Sequence, residues 1–185
     1  MRLHETIIPG AFLIDLPRFD DDRGHFAVMW SLDDFTRLGL ATDLSQCNMA
    51  FNRKAGTLRG MHYQAAPWEQ TKIVRCSRGA IFDVIIDLRP DSPAYRRWIG
   101  VELTPDNSRV LYAPKGVAHG YQTLVDDTEV VYLVTGSYQP AHERGVKWND
   151  PAFGVEWPDP KGLRTINPRD ATFPDFVPAA VPGRT

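Results

Sequence analysis

Two histidines, a lysine and a tyrosine, carried in four short runs, are the residues of this chain best suited to moving protons. His62 lies in Arg59-Gly60-Met61-His62-Tyr63-Gln64, and Lys72 opens Lys72-Ile73-Val74-Arg75. His119 closes Pro114-Lys115-Gly116-Val117-Ala118-His119-Gly120, and Tyr132 sits in Val131-Tyr132-Leu133, with Tyr138 and Glu143-Arg144 following. A neutral imidazole takes up a proton near pH 7. A fixed cation beside it stabilises an enolate oxygen, and a tyrosine facing a pocket can return a proton. Each residue also has an ordinary structural explanation. An isolated histidine is more often a hydrogen-bonded core residue, a lysine opening a strand is usually solvated, and a strand tyrosine mostly packs. Only together do the four runs point to a function.

The elements that must position these residues are mostly strands. Short apolar runs span 72–76, 80–88, 98–103, 109–113, 118–124 and 128–135, separated by turn signals every eight to twelve residues. That pattern predicts an all-β sandwich or barrel. It disfavours a doubly wound α/β fold, because there is no GxGxxG and no alternation of strands with long amphipathic helices. One helix is signalled, with Ser31 as N-cap, Asp34 as its capping-box partner and Gly39 as the stop. Along the strand carrying His62, simple alternation puts Arg59, Met61 and Tyr63 on one face and Gly60, His62 and Gln64 on the other, unless a bulge intervenes.

The 185 residues fit one domain, 43% of them hydrophobic and 24% charged, enough apolar material for a core without staples. A formal net charge of −2 argues against nucleic acid as the partner. Cys47 and Cys76 form no framework spacing, and Cys76, in an apolar run, reads as a buried free thiol. The N-terminal stretch is interrupted by His4, Glu5, Pro9, Asp15 and Pro17, so no signal-peptide core is expected there. No segment is long enough for a membrane-spanning helix, and a cytoplasmic location is expected. The proline-rich end from Asp150 is expected to wrap the barrel, its tail from about 171 extended or disordered.

His62, Glu69 and Pro114-x-Gly116-x-x-His119 resemble the two metal-binding motifs of the cupin superfamily. Where that pattern has His-x-His, this chain has His62-Tyr63-Gln64, and an amide oxygen is a poor ligand for imidazole-preferring metals. No metal is expected.

The ordered set of motifs is more specific. Arg23-Gly24-x-Phe26, Gly56-Thr57-Leu58-Arg59-Gly60-Met61-His62-Tyr63-Gln64, Lys72-Ile73-Val74-Arg75 and Gly79-Ala80-Ile81-Phe82-Asp83-Val84 are followed by Asp87-Leu88-Arg89 and Ser92-Pro93. Pro114-x-Gly116-x-Ala118-His119-Gly120, Glu129-Val130-Val131-Tyr132, Trp148-Asn149-Asp150-Pro151 and Trp157-Pro158 complete it. From about Arg23 to Asp170 the chain resembles the dTDP-4-dehydrorhamnose 3,5-epimerase family. The resemblance implies a cupin-type jelly-roll β-barrel with a few short helices, no cofactor, a dTDP-linked 4-keto-6-deoxy sugar as substrate, and a homodimer. It implies His62 as general base with Asp170 as its partner, Lys72 at the enolate oxygen, and Tyr132 returning a proton to the opposite face. Arg59 and Arg23 would hold the diphosphate, and Tyr138, Phe26, His119, Glu143, Gln46 and Asn48 would line the substrate pocket. Val28 departs from the family's usual glutamate, and Gln46-Cys47-Asn48-Met49-Ala50-Phe51-Asn52 departs from its usual run. Both bear on which sugar is used and whether C3, C5 or both are inverted.

Overall fold

The computed structural model describes residues 1–160 and 162–178. Its elements are β1 (Arg2–Glu5), β2 (Phe12–Asp15), β3 (Arg18–Asp21), β4 (Gly24–Ala27), α1 (Leu32–Arg37), β5 (Leu44–Asn52) and β6 (Thr57–Gln64). There follow β7 (Lys72–Arg78), β8 (Ile81–Asp87), β9 (Trp98–Leu103), β10 (Arg109–Ala113), β11 (Val117–Thr123) and β12 (Thr128–Thr135). Three short pieces close the chain: β13 (Glu143–Gly145), β14 (Thr165–Ile166) and α2 (Pro168–Ala171). One sheet has the order β1-β2-β10-β7-β12-β5, and the other β13-β6-β11-β8-β9, with β14 parallel to β6. From β5 to β8 and from β9 to β12 successive strands change sheets, the connectivity of a jelly roll.

Alternation along the strands divides the side chains between the lumen and the two outer faces. Val74, Cys76, Ile85, Leu111, Tyr121 and Val130 meet inside, between the sheets. Burial pushes the Cys76 thiol up to about 11, which suits an inert core residue. The outer face of the first sheet is covered by α1, whose Phe35 packs on Ile73, Val110 and Tyr112. The C-terminal segment covers the outer face of the second sheet, with Val146, Phe153, Trp157 and Phe176 against Val84, Ile86 and Met61. This double cover explains why 81–86 is a nearly unbroken apolar run, since β8 is buried on both faces.

The start of α1 uses half of the expected capping box. Ser31 Oγ accepts from the Asp34 N–H at 3.4 Å, while the Asp34 carboxylate turns to Arg37 at 2.6 Å. The tail wraps the barrel through Phe176, and residues 170–171 belong to α2. The part of the tail at 179–185 lies outside the described residues.

Strict alternation fails where it matters most. His119 of β11 stands opposite His62 of β6, but Tyr121 stands opposite Arg59, so β6 advances three residues while β11 advances two. The bulge falls at Gly60-Met61, and Arg59 and His62 consequently share the lumen face while Met61 is buried in the outer cluster. This corrects the simple expectation that Arg59 and His62 lie on opposite faces. Glycine is required there: Gly60 has φ +121°, and a Cβ on it would stand 2.6 Å from Gly120 Cα and 2.9 Å from the His119 carbonyl oxygen. Two glycines facing one another thus let β6 and β11 approach closely enough for the bulge to form.

Candidate active site

One end of the lumen is polar. Two adjoining pockets of about 130 and 140 Å³ open there, and His62, Lys72 and Tyr132 line both. A larger groove of about 700 Å³ lies elsewhere, between Lys54, Ala55 and Gly56 on one side and Pro158, Pro160 and Leu163 on the other. Its Lys54 and Asp126 pair with each other at 3.0 Å.

His62 is built from both ends of the chain. Asn167 caps α2 by accepting from the Asp170 N–H at 2.7 Å, and this short helix delivers Asp170 beneath the imidazole. His62 Nε2 meets Asp170 Oδ1 at 2.8 Å, and Asp170 Oδ2 accepts from the Gly60 N–H at 3.0 Å. Burial pushes the Asp170 carboxyl upward, but these hydrogen bonds outweigh it and hold the group below the usual carboxylate range. An ionised Asp170 can only accept, so the proton of neutral His62 sits on Nε2 and the lone pair on Nδ1. Nδ1 has no hydrogen-bond partner among the described residues, and is the atom free to take a proton. The Phe173 ring meets the imidazole edge-on at 5.9 Å, in space that a side chain on Gly145 would fill.

Lys72, at the start of β7, donates from Nζ to the His62 carbonyl at 3.3 Å. Burial brings its pKa down to about 8, against the opposing pull of Asp83 and Glu143. Tyr132 of β12 stands opposite Asn48 on one side and Val74 on the other. Burial raises its phenol, Arg59 opposes and Glu143 adds to the rise, so the hydroxyl keeps its proton near neutral pH. Arg59 is oriented by Asn52 Oδ1, which accepts from Nε at 2.8 Å.

The remaining anticipated residues divide into two groups. Gln46, Asn48, Tyr138 and Glu143 line the first pocket, and Arg59 and His119 line the second. His119 Nε2 meets the buried Asp83 at 2.7 Å. Arg23 and Phe26 do not join them. They lie on the β3–β4 hairpin, where Arg23 pairs with Asp21 and Phe26 is 65% exposed, stacked on Phe19. The Gln64 amide is engaged with Trp68, Ser137 and Gln139. Among the described residues no three His, Cys, Asp or Glu side chains converge as metal ligands.

Three contributors were not singled out from sequence. Asp83 carried a signal, an acid inside an apolar strand, which is rare unless paired. Arg169 grips Glu143 with two hydrogen bonds, at 2.7 and 3.1 Å, while Tyr138 donates to the same carboxylate at 2.7 Å. Arg169 holds Glu143 below and Glu143 holds the Tyr138 phenol above its ordinary value. Only the Asn167-Pro168 helix start hinted that residues 168–171 had a fixed place. Gln70 also lines the first pocket and left no local signal at all.

A base backed by a carboxylate, a half-buried cation and a protonated phenol around one cleft can remove a proton from carbon beside a carbonyl, hold the enolate and return a proton.

The comparisons with known proteins agree with this chemistry. The family model for dTDP-4-dehydrorhamnose 3,5-epimerase matches residues 5–177. A dTDP-4-dehydrorhamnose 3,5-epimerase of Sinorhizobium fredii is 43% identical over 146 residues, covering 79% of this chain and 75% of the relative. The crystal structure of a dTDP-4-dehydrorhamnose 3,5-epimerase from Bacillus anthracis, with TDP and PPi bound, superposes with a TM-score of 0.90 at 39% identity, covering 95% of this chain and 99% of that one. A 3'-monoepimerase from Streptomyces bikiniensis, in complex with dTDP-quinovose, gives a TM-score of 0.86 at 32% identity, covering 93% and 86%. With its jelly-roll barrel and near full-length match, this chain belongs to the dTDP-4-dehydrorhamnose 3,5-epimerase family.

Proposed function

We propose that this protein epimerises a dTDP-linked 4-keto-6-deoxyhexose at C3 and C5, converting dTDP-4-dehydro-6-deoxyglucose to dTDP-4-dehydrorhamnose. The observation that carries the reading is the convergence of His62, Lys72 and Tyr132 on one cleft. The C4 ketone acidifies the neighbouring C–H bonds, so a base, an acid and a cation near the oxygen suffice. His62 Nδ1 takes the proton, and Asp170 stabilises the resulting imidazolium. Lys72 stabilises the enolate oxygen, and Tyr132 protonates the opposite face, which inverts the centre. After the ring changes pucker, the same base and acid serve the second carbon.

Arg59 holds the diphosphate, its planar fork suited to phosphate oxygens, with His119, Gln46, Asn48, Tyr138 and Glu143 around the sugar and nucleoside. Arg23 and Phe26 lie on an exposed hairpin away from their own cleft. We assign them to the cleft of a second copy, in a homodimer of single-domain subunits. The exposed Met49 and Phe51 on β5 add apolar surface for such a contact. The net charge of −2 suits a nucleotide-sugar rather than a nucleic acid partner. Among the described residues no helix is long and apolar enough to cross a membrane, and we place the protein in the cytoplasm.

The test is incubation with dTDP-4-dehydro-6-deoxyglucose in heavy water, followed by NMR. Deuterium uptake with inversion at both C3 and C5 is expected. Uptake at C3 alone would make this a mono-epimerase like the similar Streptomyces bikiniensis protein, and would direct attention to Val28 and the 46–52 segment. No uptake at either carbon would overturn the reading.

The pH dependence follows from Lys72. Its cation is lost as pH rises through about 8, so kcat/KM is expected to fall along an alkaline limb there. In Lys72→Arg the guanidinium stays charged and the limb should vanish from the pH–rate profile, even though absolute activity drops. A limb that persists in that variant would belong to another group. The linkage to folding runs the other way: the folded value of about 8 lies below the ordinary 10.5, so the unfolded chain binds more protons between them. This residue therefore makes the fold more stable as pH rises across that window.

A further inference from the structure

Of the three glutamines lining the first pocket, Gln64 and Gln70 are employed differently. The Gln64 carboxamide is fully committed: Nε2 donates to the carbonyls of Trp68 at 2.7 Å and Ser137 at 3.3 Å, and Oε1 accepts from the Gln139 N–H at 2.6 Å. It fastens the loop after β6 to the chain beyond β12. Gln70 lies two residues before Lys72, in the lining of the cleft beside Asn48, His62, Lys72 and Tyr132. Its Nε2 is shut off from solvent and has no hydrogen-bond partner among the described residues.

The backbone beside Gln70 is pinned. The Thr71 N–H donates to Thr135 Oγ1 at 2.9 Å, and the Thr71 carbonyl accepts from the Thr135 N–H at 3.1 Å. The chain therefore cannot easily shift to give the amide another partner. Native proteins rarely leave a buried donor unpaired, and the exceptions call for a role. Trp30 Nε1, Arg75 Nε, Tyr95 OH and Asp83 Oδ2 are also buried without partners, but none of those four residues lines the pocket where Gln70 sits.

We propose that Gln70 is a specificity-determining residue of this site: rotation about its side-chain bonds turns the carboxamide out into the cleft, where a hydroxyl of the bound sugar completes it; this rests on the epimerase reading above. A hydroxyl matches a carboxamide in both directions, accepting from Nε2–H and donating to Oε1, whereas a deoxygenated carbon does neither. Gln70 thus reads a ring position other than the C–H bonds being broken, and a site built to bond a hydroxyl rejects an analogue lacking it.

The experiment compares wild type, Gln70→Met and Gln70→Glu in the heavy-water exchange assay, with thermal melts of all three. Methionine keeps the length of the side chain and removes its hydrogen bonding; glutamate keeps the shape and removes the donor. For Gln70→Met, kcat/KM is expected to fall about tenfold, carried mainly by KM, the size of one lost hydrogen bond to a ligand. Its melting temperature should equal or exceed that of the wild type, because an unpaired buried donor has been removed. Gln70→Glu should also bind substrate more weakly. On sugars deoxygenated singly at each hydroxyl-bearing ring position, one analogue should abolish the difference between wild type and Gln70→Met. An unchanged KM in both variants, or a fall in melting temperature with unchanged KM, would overturn the role of Gln70 and make its amide a structural group. Wild-type protein that exchanges no deuterium would instead overturn the epimerase reading, and this inference with it.

Discussion

His62→Ala is expected to lower turnover by about 10²- to 10⁴-fold, the usual worth of a positioned general base, while dTDP still binds. The cleft keeps Lys72 and Tyr132, but neither can replace the lost base. In the proposed reaction Lys72 serves as the cation, and burial holds the Tyr132 phenol in its protonated form. Nucleotide affinity should survive because Arg59 takes its orientation from Asn52 and Phe51, not from the imidazole. The substitution has a structural cost as well. Asp170 is buried and loses its partner at 2.8 Å, keeping the Gly60 N–H at 3.0 Å. That orphaned oxygen costs roughly 1–3 kcal/mol. His62→Asn leaves a polar group in place and separates the two effects, since a thermal melt should recover while turnover does not. Calorimetry with dTDP and the deuterium assay read the two halves. Normal turnover in either variant would remove His62 as the base.

Tyr132→Phe should lower formation of inverted product by about 10²-fold or more while deuterium still enters the substrate. The reason is the division of labour between faces. His62 can remove a proton, exchange it with solvent and return deuterium to the side it came from, giving label without inversion. Only a donor on the other face inverts the centre. The phenol hydroxyl has no hydrogen-bond partner among the described residues, and its ring packs against the lumen core, so phenylalanine keeps the packing and orphans nothing. A large kinetic effect with an unchanged melting temperature would therefore report proton delivery. NMR distinguishes retained from inverted product, and unchanged inversion would sink Tyr132 as the acid.

Much of the barrel was legible along the chain. The runs 98–103, 109–113 and 128–135 coincide with β9, β10 and β12, and the others differ by a residue or two at their ends. Period-two alternation, β-branched residues and turn signals are local properties, so they mark a strand whichever distant strands it pairs with. The helix at Leu32–Arg37 was equally local, announced by Ser31 and stopped at Gly39. The bulge at Gly60-Met61 was not legible. A glycine permits a positive φ without demanding one, and the demand comes from Gly120 on β11, sixty residues away.

By itself, then, the sequence determined the all-β class, the strands and turns between residues 72 and 135, and the presence of a base, a cation and a phenol in motifs of a known family. Only tertiary structure decided how those groups meet. It brought Asp170 to His62 across 108 positions, turned Arg59 and His62 to one face, left Arg23 and Phe26 outside the cleft, and desolvated Lys72 enough to lower its pKa to about 8. The physical reason is range. Strand and turn preferences act over a few neighbouring residues, whereas burial, register and ion pairing depend on which distant segments share a wall of the barrel.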